Sequence, residues 1–350
     1  MSIPTHMQAV VAVEGKEIAV QTVAVPSIAN NEVLVQVKAA AQNPTDWKHV
    51  AFGLSQPGNI VGCDYAGVVV KVGTDVKNVK IGDRVAGFVH GARKNDLGSY
   101  AEYLRTEYDL VWSVPDGTSF EEAAAIGGVG SETAALALYH ALGLPWPGTS
   151  SAGAPRTVLV WAGSTSVGLY AIQLAKASGA TVVTTGSPHN HELLKSLGAA
   201  GVFDYKSPTV VQDIKQAYPD IDAGLDCISE QGSTKQAAAS FGKPGTITTL
   251  LPVKKEGEGW NPDVEIEPVL AYYTRGKAFE INGIVRPAVP EQRAHAVKWL
   301  SQQGDLVKSG QLKANPIKII PGGLHGVKEG FELMKAGKVS AQKLVYQVGT

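Results

Sequence analysis

An apolar run, Val158-Leu159-Val160-Trp161, breaks at Ala162-Gly163-Ser164-Thr165-Ser166-Val167-Gly168 and resumes as Leu169-Tyr170-Ala171-Ile172-Gln173-Leu174-Ala175-Lys176. The first run suits a buried strand; the second repeats its apolar residues at three- and four-residue spacing and suits a helix. A strand feeding a helix through a glycine-marked turn brings free backbone N–H groups and the positive end of the helix dipole to one point, where a pyrophosphate can bind. The dinucleotide fingerprint G-x-G-x-x-G is met at Gly163 and Gly168 but not at Thr165. Gly163 can make the tight turn and Gly168 can let the helix lie close to the strand. Thr165 adds a side chain where backbone should meet phosphate, and its hydroxyl is expected to donate to a phosphate oxygen instead. Gly179-Ala180 and a second strand, Thr181-Val182-Val183-Thr184-Thr185, complete a βαβ unit.

The tip of that second strand decides which dinucleotide fits. An NAD site expects Asp or Glu about twenty residues past the glycines, on the ribose 2′-OH. Here stand Gly186-Ser187-Pro188-His189-Asn190, with no carboxylate until Glu192. Ser187, His189 and Asn190 offer donors without repelling a 2′-phosphate, and Tyr205 and Lys206, after the third strand, can close over the adenosine end. NADPH is the expected cofactor. The same residues also suit an ordinary turn and helix cap.

A chain of 350 residues has room for two cores, and 44% hydrophobic with 18% charged residues is ordinary for a globular protein. A net charge of −1 gives no attraction to nucleic acid or an anionic membrane surface. The two cysteines, Cys63 and Cys227, supply neither a disulfide framework nor a four-thiolate zinc site. No signal-like start and no membrane-length apolar run is present, so a cytoplasmic location is expected.

Residues 8 to about 120 alternate β-branched runs with turn residues, notably Val33–Val37, Val68–Val72 and Arg84–Val89, and predict a compact β-rich module. Helical spacing begins after Ser119 and again from Thr133 to Leu142; a Gly-, Pro- and Ser-rich loop over 143–156 follows. Beyond the glycine turn, strands at Val202–Asp204, Ala223–Cys227, Gly245–Leu250 and Ala278–Gly283 alternate with helices at 208–217 and 231–240. Six alternating strands predict an α/β doubly wound parallel sheet with its crevice at the carboxyl ends. A helix near 290–303, a strand at Ile317–Ile320, a helix near 324–336 and a strand at Lys343–Val348 are expected to rejoin the first domain.

Gln42-Asn43-Pro44-Thr45-Asp46, Gly62-Cys63-Asp64-Tyr65-Ala66-Gly67, Val79-Lys80-Ile81-Gly82-Asp83-Arg84-Val85 and Gly98-Ser99-Tyr100-Ala101-Glu102-Tyr103, with the glycine turn, resemble the medium-chain dehydrogenase/reductase superfamily over essentially the whole chain. Within it the Gly163-Ser164-Thr165 turn, Ser187-Pro188-His189-Asn190, Phe203-Asp204-Tyr205 and Leu225-Asp226-Cys227-Ile228 resemble fungal toxin-cluster, trans-acting enoyl reductases, lovastatin type, which share the Thr165 departure. The resemblance implies a GroES-like substrate domain from 1–125 and 288–350, a Rossmann domain from 126–287, and NADPH in the cleft. At the catalytic-zinc positions of the zinc-dependent alcohol dehydrogenases it places Asn43, Cys63 and Asp64, a poor donor set, and no structural-zinc lobe is present; no metal is expected.

Without an electrophilic metal, reduction of an activated C=C bond asks less of the protein than alcohol oxidation. The resemblance marks Lys48 as the group that stabilises an enolate and donates a proton, unless it is a solvated surface lysine, and Thr133 as a residue near the nicotinamide, unless Thr133 only back-bonds in its helix. Leu250 and Leu251 are expected to wall the nicotinamide from the fifth strand, and Gly283 and Ile284 from the sixth. Lys343 resembles a family lysine directed towards the cofactor, although a lysine at a strand end commonly meets solvent. His49 and His90 read as structural, and Trp47 and Trp260 as candidate pocket walls. The expected substrate is a small-molecule or carrier-bound unsaturated carbonyl, with a polyketide synthase as partner and the chain a monomer or homodimer. Quinone reduction, or NADPH binding without turnover in a sensor or synthase partner, are the alternatives.

Overall fold

The computed structural model describes residues 3–149, 155–281 and 283–349. Residues 150–154 of the expected loop, Asn282 of the expected sixth strand and the first two residues therefore lie outside it. The chain forms two compact units, Met1–Gly130 with Tyr272–Thr350, and Ser131–Ala271.

The second unit is a six-stranded parallel sheet ordered Gly201–Phe203, Thr181–Thr185, Thr157–Trp161, Ile221–Asp226, Gly245–Thr249, Val264–Pro268. Helices Ser166–Ala177, His191–Leu197, Val210–Ala217 and Gln231–Ala239 join these strands, and Leu159, Val183, Ile214, Ile221, Phe241 and Ile247 fill a core. Strand order reverses at Thr157–Trp161, so the crevice at a topological switch point opens beside the glycine turn.

The sixth strand is not Ala278–Gly283. It is Val264–Pro268, an edge strand whose Glu265, Glu267 and Pro268 are exposed. Glutamate and proline are depleted from strands in general but fit an edge, where one side of the ladder meets water. Phe279–Ile281 instead pairs antiparallel with Ile284–Arg286 as a hairpin of the first unit. The helical segment expected from Thr133 starts earlier, as Val129–Ala135, and its last part, Leu136–Ala141, is wound as a π-helix.

The first unit is built on a seven-stranded sheet with Glu32–Ala41 at its centre, flanked by Asp64–Val72, Tyr103–Glu107 and Lys343–Gln347. The tail thus returns a strand to it: Val345, Tyr346 and Gln347 pair with Ala41, Ala40 and Ala39. Val35, Tyr65, Leu104, Phe331 and Tyr346 lie in its core.

Candidate functional site

Both glycines of the turn are required by contact. A Cβ on Gly163 would come 2.1 Å from Thr184 Oγ1, and one on Gly168 would come 2.7 Å from the Ala162 oxygen and from Gly163 Cα. Thr165 is the N-cap of helix Ser166–Ala177: its hydroxyl accepts the Gly168 N–H at 3.1 Å and donates to the Ala162 oxygen at 2.9 Å. The single hydroxyl proton is thereby engaged, so the expected donation from Thr165 to phosphate is corrected to a capping role. Ser164, whose hydroxyl has no partner among the described residues, and the half-exposed Ser166 and Val167 stand at the mouth of this cradle. The arrangement fits the pyrophosphate of a dinucleotide, with N–H groups of the first helical turn directed to it.

The neighbouring strand tips lie along the same edge. Gly186 N–H donates to the Phe203 oxygen at 3.0 Å, which sets Ser187 and His189 beside Tyr205 and Lys206. Ser187 is half-exposed and His189 exposed; Tyr205 is exposed with the Lys206 ammonium 5.7 Å from its ring centroid. Asn190 is buried, so the outward donors are Ser187 and His189. Leu250 donates its N–H to Ser229 Oγ at 2.6 Å, and Leu251 beyond it is exposed. Gly283 and Ile284 belong to the hairpin segment of the first unit, which corrects their expected position at the end of the sixth parallel strand. Trp260 turns its indole N–H to the Glu256 oxygen at 2.9 Å and closes its own loop.

In the first unit, helix Pro44–Ala51 opens with proline, whose fixed φ suits a first turn. It carries Thr45, Asp46, Lys48 and His49. Lys48 is half-buried, its ammonium 5.8 Å from the Trp47 ring centroid and without a carboxylate partner among the described residues. Asp46 is buried; it accepts Asn43 N–H at 2.7 Å and Tyr100 hydroxyl at 2.8 Å, and desolvation raises its carboxyl to about 6. His49 Nδ1 lies 2.9 Å from Thr45 Oγ1, and Thr45 also bonds the Tyr272 hydroxyl. Burial lowers the pKa of His49, and lowers that of His90 strongly, so both imidazoles are neutral. Thr133 is buried on helix Val129–Ala135.

Lys343 does not meet solvent. Its side chain is 2% exposed and its ammonium donates to Asp64 Oδ2 at 2.9 Å and Asn43 Oδ1 at 2.6 Å. Asn43 Nδ2 donates to the same Asp64 oxygen at 2.8 Å, and Asp64 Oδ1 accepts Val129 N–H at 2.9 Å. Asn43 and Asp64, two of the positions matched to zinc ligands, are thus engaged with an ammonium. Burial and the neighbouring carboxylates hold the third, Cys63, well above the usual thiol range, whereas zinc takes a thiolate. No group of three His, Cys, Asp or Glu side chains able to hold a metal occurs among the described residues. These residues do not fit zinc.

Sequence reasoning gave no role to Tyr272, and none to Asp226 beyond its place in a motif. Tyr272 belongs to no motif and meets helix Pro44–Ala51 only in the folded chain. Asp226, at the end of its strand, accepts from Ser233 and Thr234 hydroxyls at 2.7 Å each and from Ile228 N–H at 2.9 Å, which holds the strand tip to the next helix.

The Alcohol dehydrogenase GroES-like domain model matches residues 29–116 and the Zinc-binding dehydrogenase model residues 166–256. A trans-enoyl reductase of Aspergillus clavatus is 36% identical, covering 93% of this chain and 91% of its own. One of Alternaria alternata is 37% identical (95% and 96% covered), and one of Thermothelomyces thermophilus 38% (94% and 93%). Among solved structures, an alcohol dehydrogenase superfamily protein of Novosphingobium aromaticivorans matches with TM-score 0.80 at 23% identity, over 98% of this chain and 99% of that one. The CurK enoyl reductase matches with TM-score 0.76 at 22% identity over the same shares. These two show the fold; the relatives above 35% identity, together with the glycine cradle, place the chain in the medium-chain dehydrogenase/reductase superfamily, among the nicotinamide-dinucleotide-dependent trans-enoyl reductases.

Proposed function

We propose that this chain reduces the C=C bond of an α,β-unsaturated carbonyl with NADPH, on an acyl chain presented by the carrier protein of a polyketide synthase. The observation that carries the reading is Lys48: a half-buried ammonium with no carboxylate to answer it among the described residues, on a helix whose start is fixed by the buried Asn43–Asp46 contact and by the Thr45–Tyr272 hydrogen bond. A dinucleotide held at the Gly163–Gly168 turn would supply the hydride for the β-carbon. Lys48 stabilises the negative charge that reduction places on the carbonyl oxygen, and the α-carbon takes a proton from its ammonium or from water. The strand tip with Ser187, His189, Tyr205 and Lys206 and no adjoining carboxylate other than Asp204, which accepts the Lys206 N–H at 3.0 Å, supports a 2′-phosphate over a bare ribose.

The test follows NADPH oxidation with an alkenal, an enone, an enoyl thioester, a quinone and a simple aldehyde, and repeats it with NADH. Turnover of the conjugated alkenes with NADPH, falling about 100-fold in kcat in Lys48→Ala while NADPH binding holds, is the expected result. Preference for the quinone would turn the reading to quinone reduction. Equal use of NADH would remove the NADPH assignment, and binding without turnover on any substrate would remove the catalytic one.

A further inference from the structure

A cavity of about 260 Å³ opens wholly within the first unit, between the end of strand Arg84–Phe88, the loop that follows it and the segment 272–280. Its wall is aromatic. His90 and Tyr272 stack with centroids 3.6 Å apart and planes 9° from parallel, and Phe279 meets them edge-on at 5.7 and 6.0 Å. The wall touches the catalytic helix directly through the Tyr272–Thr45 hydrogen bond.

The lining is also cationic, with five Lys or Arg side chains against three carboxylates. Arg105 is answered by Glu32 at 2.6 Å and Lys277 by Glu107 at 2.5 Å. Arg93 is not. Its guanidinium donates to the Leu54 oxygen at 2.8 Å and the Glu280 oxygen at 2.7 Å, neutral acceptors that fix the fork without neutralising it. Lys94 next to it is exposed and has no carboxylate partner among the described residues. Arg275, the fifth, is held 3.9 Å over the Phe88 ring. A guanidinium fixed along one edge presents its other N–H groups in the geometry that matches two phosphate oxygens. At the same opening the rings offer apolar surface for a branched alkyl group.

We propose that this cavity binds the arm of a phosphopantetheinyl thioester, with Arg93 and Lys94 on its phosphate and the His90, Tyr272 and Phe279 rings on the methyl-branched pantoyl segment. The proposal rests on the enoyl-reductase reading above and adds to it the part of the substrate remote from the double bond. Binding energy gained there is available to orient the reacting end. The same arm is carried by a carrier protein and by coenzyme A, and the experiment separates the two.

One enoyl group is supplied as its pantetheine thioester, its phosphopantetheine thioester on an isolated carrier protein, and its coenzyme A thioester, to the wild type, Arg93→Ala and Lys94→Glu. Arg93 also ties two loops together; exposed Lys94 does not, so Lys94→Glu keeps the proposal testable if Arg93→Ala folds poorly. The expected result is a KM raised about tenfold for both phosphorylated thioesters, the size of one charge-assisted contact, with kcat/KM for the pantetheine thioester within twofold of wild type. An equal effect on pantetheine and phosphopantetheine thioesters, or no effect on either, overturns the proposal. An effect confined to the coenzyme A thioester overturns it too, since the cations would then be reading the nucleotide. If no thioester turns over, the enoyl-reductase reading fails by itself. Calorimetric titration of the wild type and Lys94→Glu with phosphopantetheine against pantetheine still decides the site: weaker phosphopantetheine binding in the variant supports it, and equal affinity of the wild type for the two ligands overturns it.

Discussion

Lys343 shows how much one buried charge can organise. Its ammonium meets Asp64 and Asn43 with both partners buried, and from those two residues hydrogen bonds run to the start of helix Pro44–Ala51 and to Val129. Taking one partner from a buried pair strands the other's charge, at a cost of about 3–5 kcal/mol, whereas removing both charges costs much less. Lys343→Met should therefore lower unfolding stability by roughly that amount, and Lys343→Met with Asp64→Asn should recover most of it. Denaturant titration reads both, and a single variant within about 1 kcal/mol of wild type would show that the pair does not hold the fold together. Sequence resemblance had directed Lys343 to the cofactor; no local pattern reveals that a lysine at a strand end pairs with an aspartate from a distant strand. The two glycines are legible because the strand and the helix that flank their turn are read from neighbours close in sequence.

At the level of strands and helices, legibility followed periodicity. The glycine turn, the helix after it and the first five parallel strands have the runs and breaks that local pattern predicts. Strand Val264–Pro268 escapes a sequence reading because alternating Glu and a Pro disguise an edge, and the expected sixth strand, Ala278–Gly283, contributes Phe279–Ile281 to a hairpin of the other unit. Thr165 is the instructive position. As an N-cap it satisfies Gly168 N–H, so Thr165→Ala should lower stability by about 1 kcal/mol, while Thr165→Gly, which completes the dinucleotide fingerprint, should cost only a few tenths. Thermal denaturation compares the two; a larger loss for glycine than for alanine would mean the hydroxyl is not acting as the cap.

Across the whole molecule, the two units differ in how the chain composes them. The parallel-sheet unit is one continuous stretch, Ser131–Ala271, with its own core, and the other needs both ends of the chain. An isolated 131–271 fragment is expected to show cooperative unfolding and measurable binding of a reduced nicotinamide dinucleotide by fluorescence, whereas a 1–130 fragment should unfold without a cooperative transition. A fragment 131–271 with no cooperative transition would mean that the parallel sheet depends on the other unit. The strand Lys343–Gln347 pairs directly with Glu32–Ala41 at the sheet's centre, and the Lys343–Asp64 pair joins residues 279 positions apart. A ribosome making this chain from its amino end must therefore release the whole of the parallel-sheet unit while the earlier segment still waits with an unfilled strand position and an uncompensated Asp64. During that interval the first-made part of the protein is the last to become native, and it is the part that a chaperone would have reason to hold.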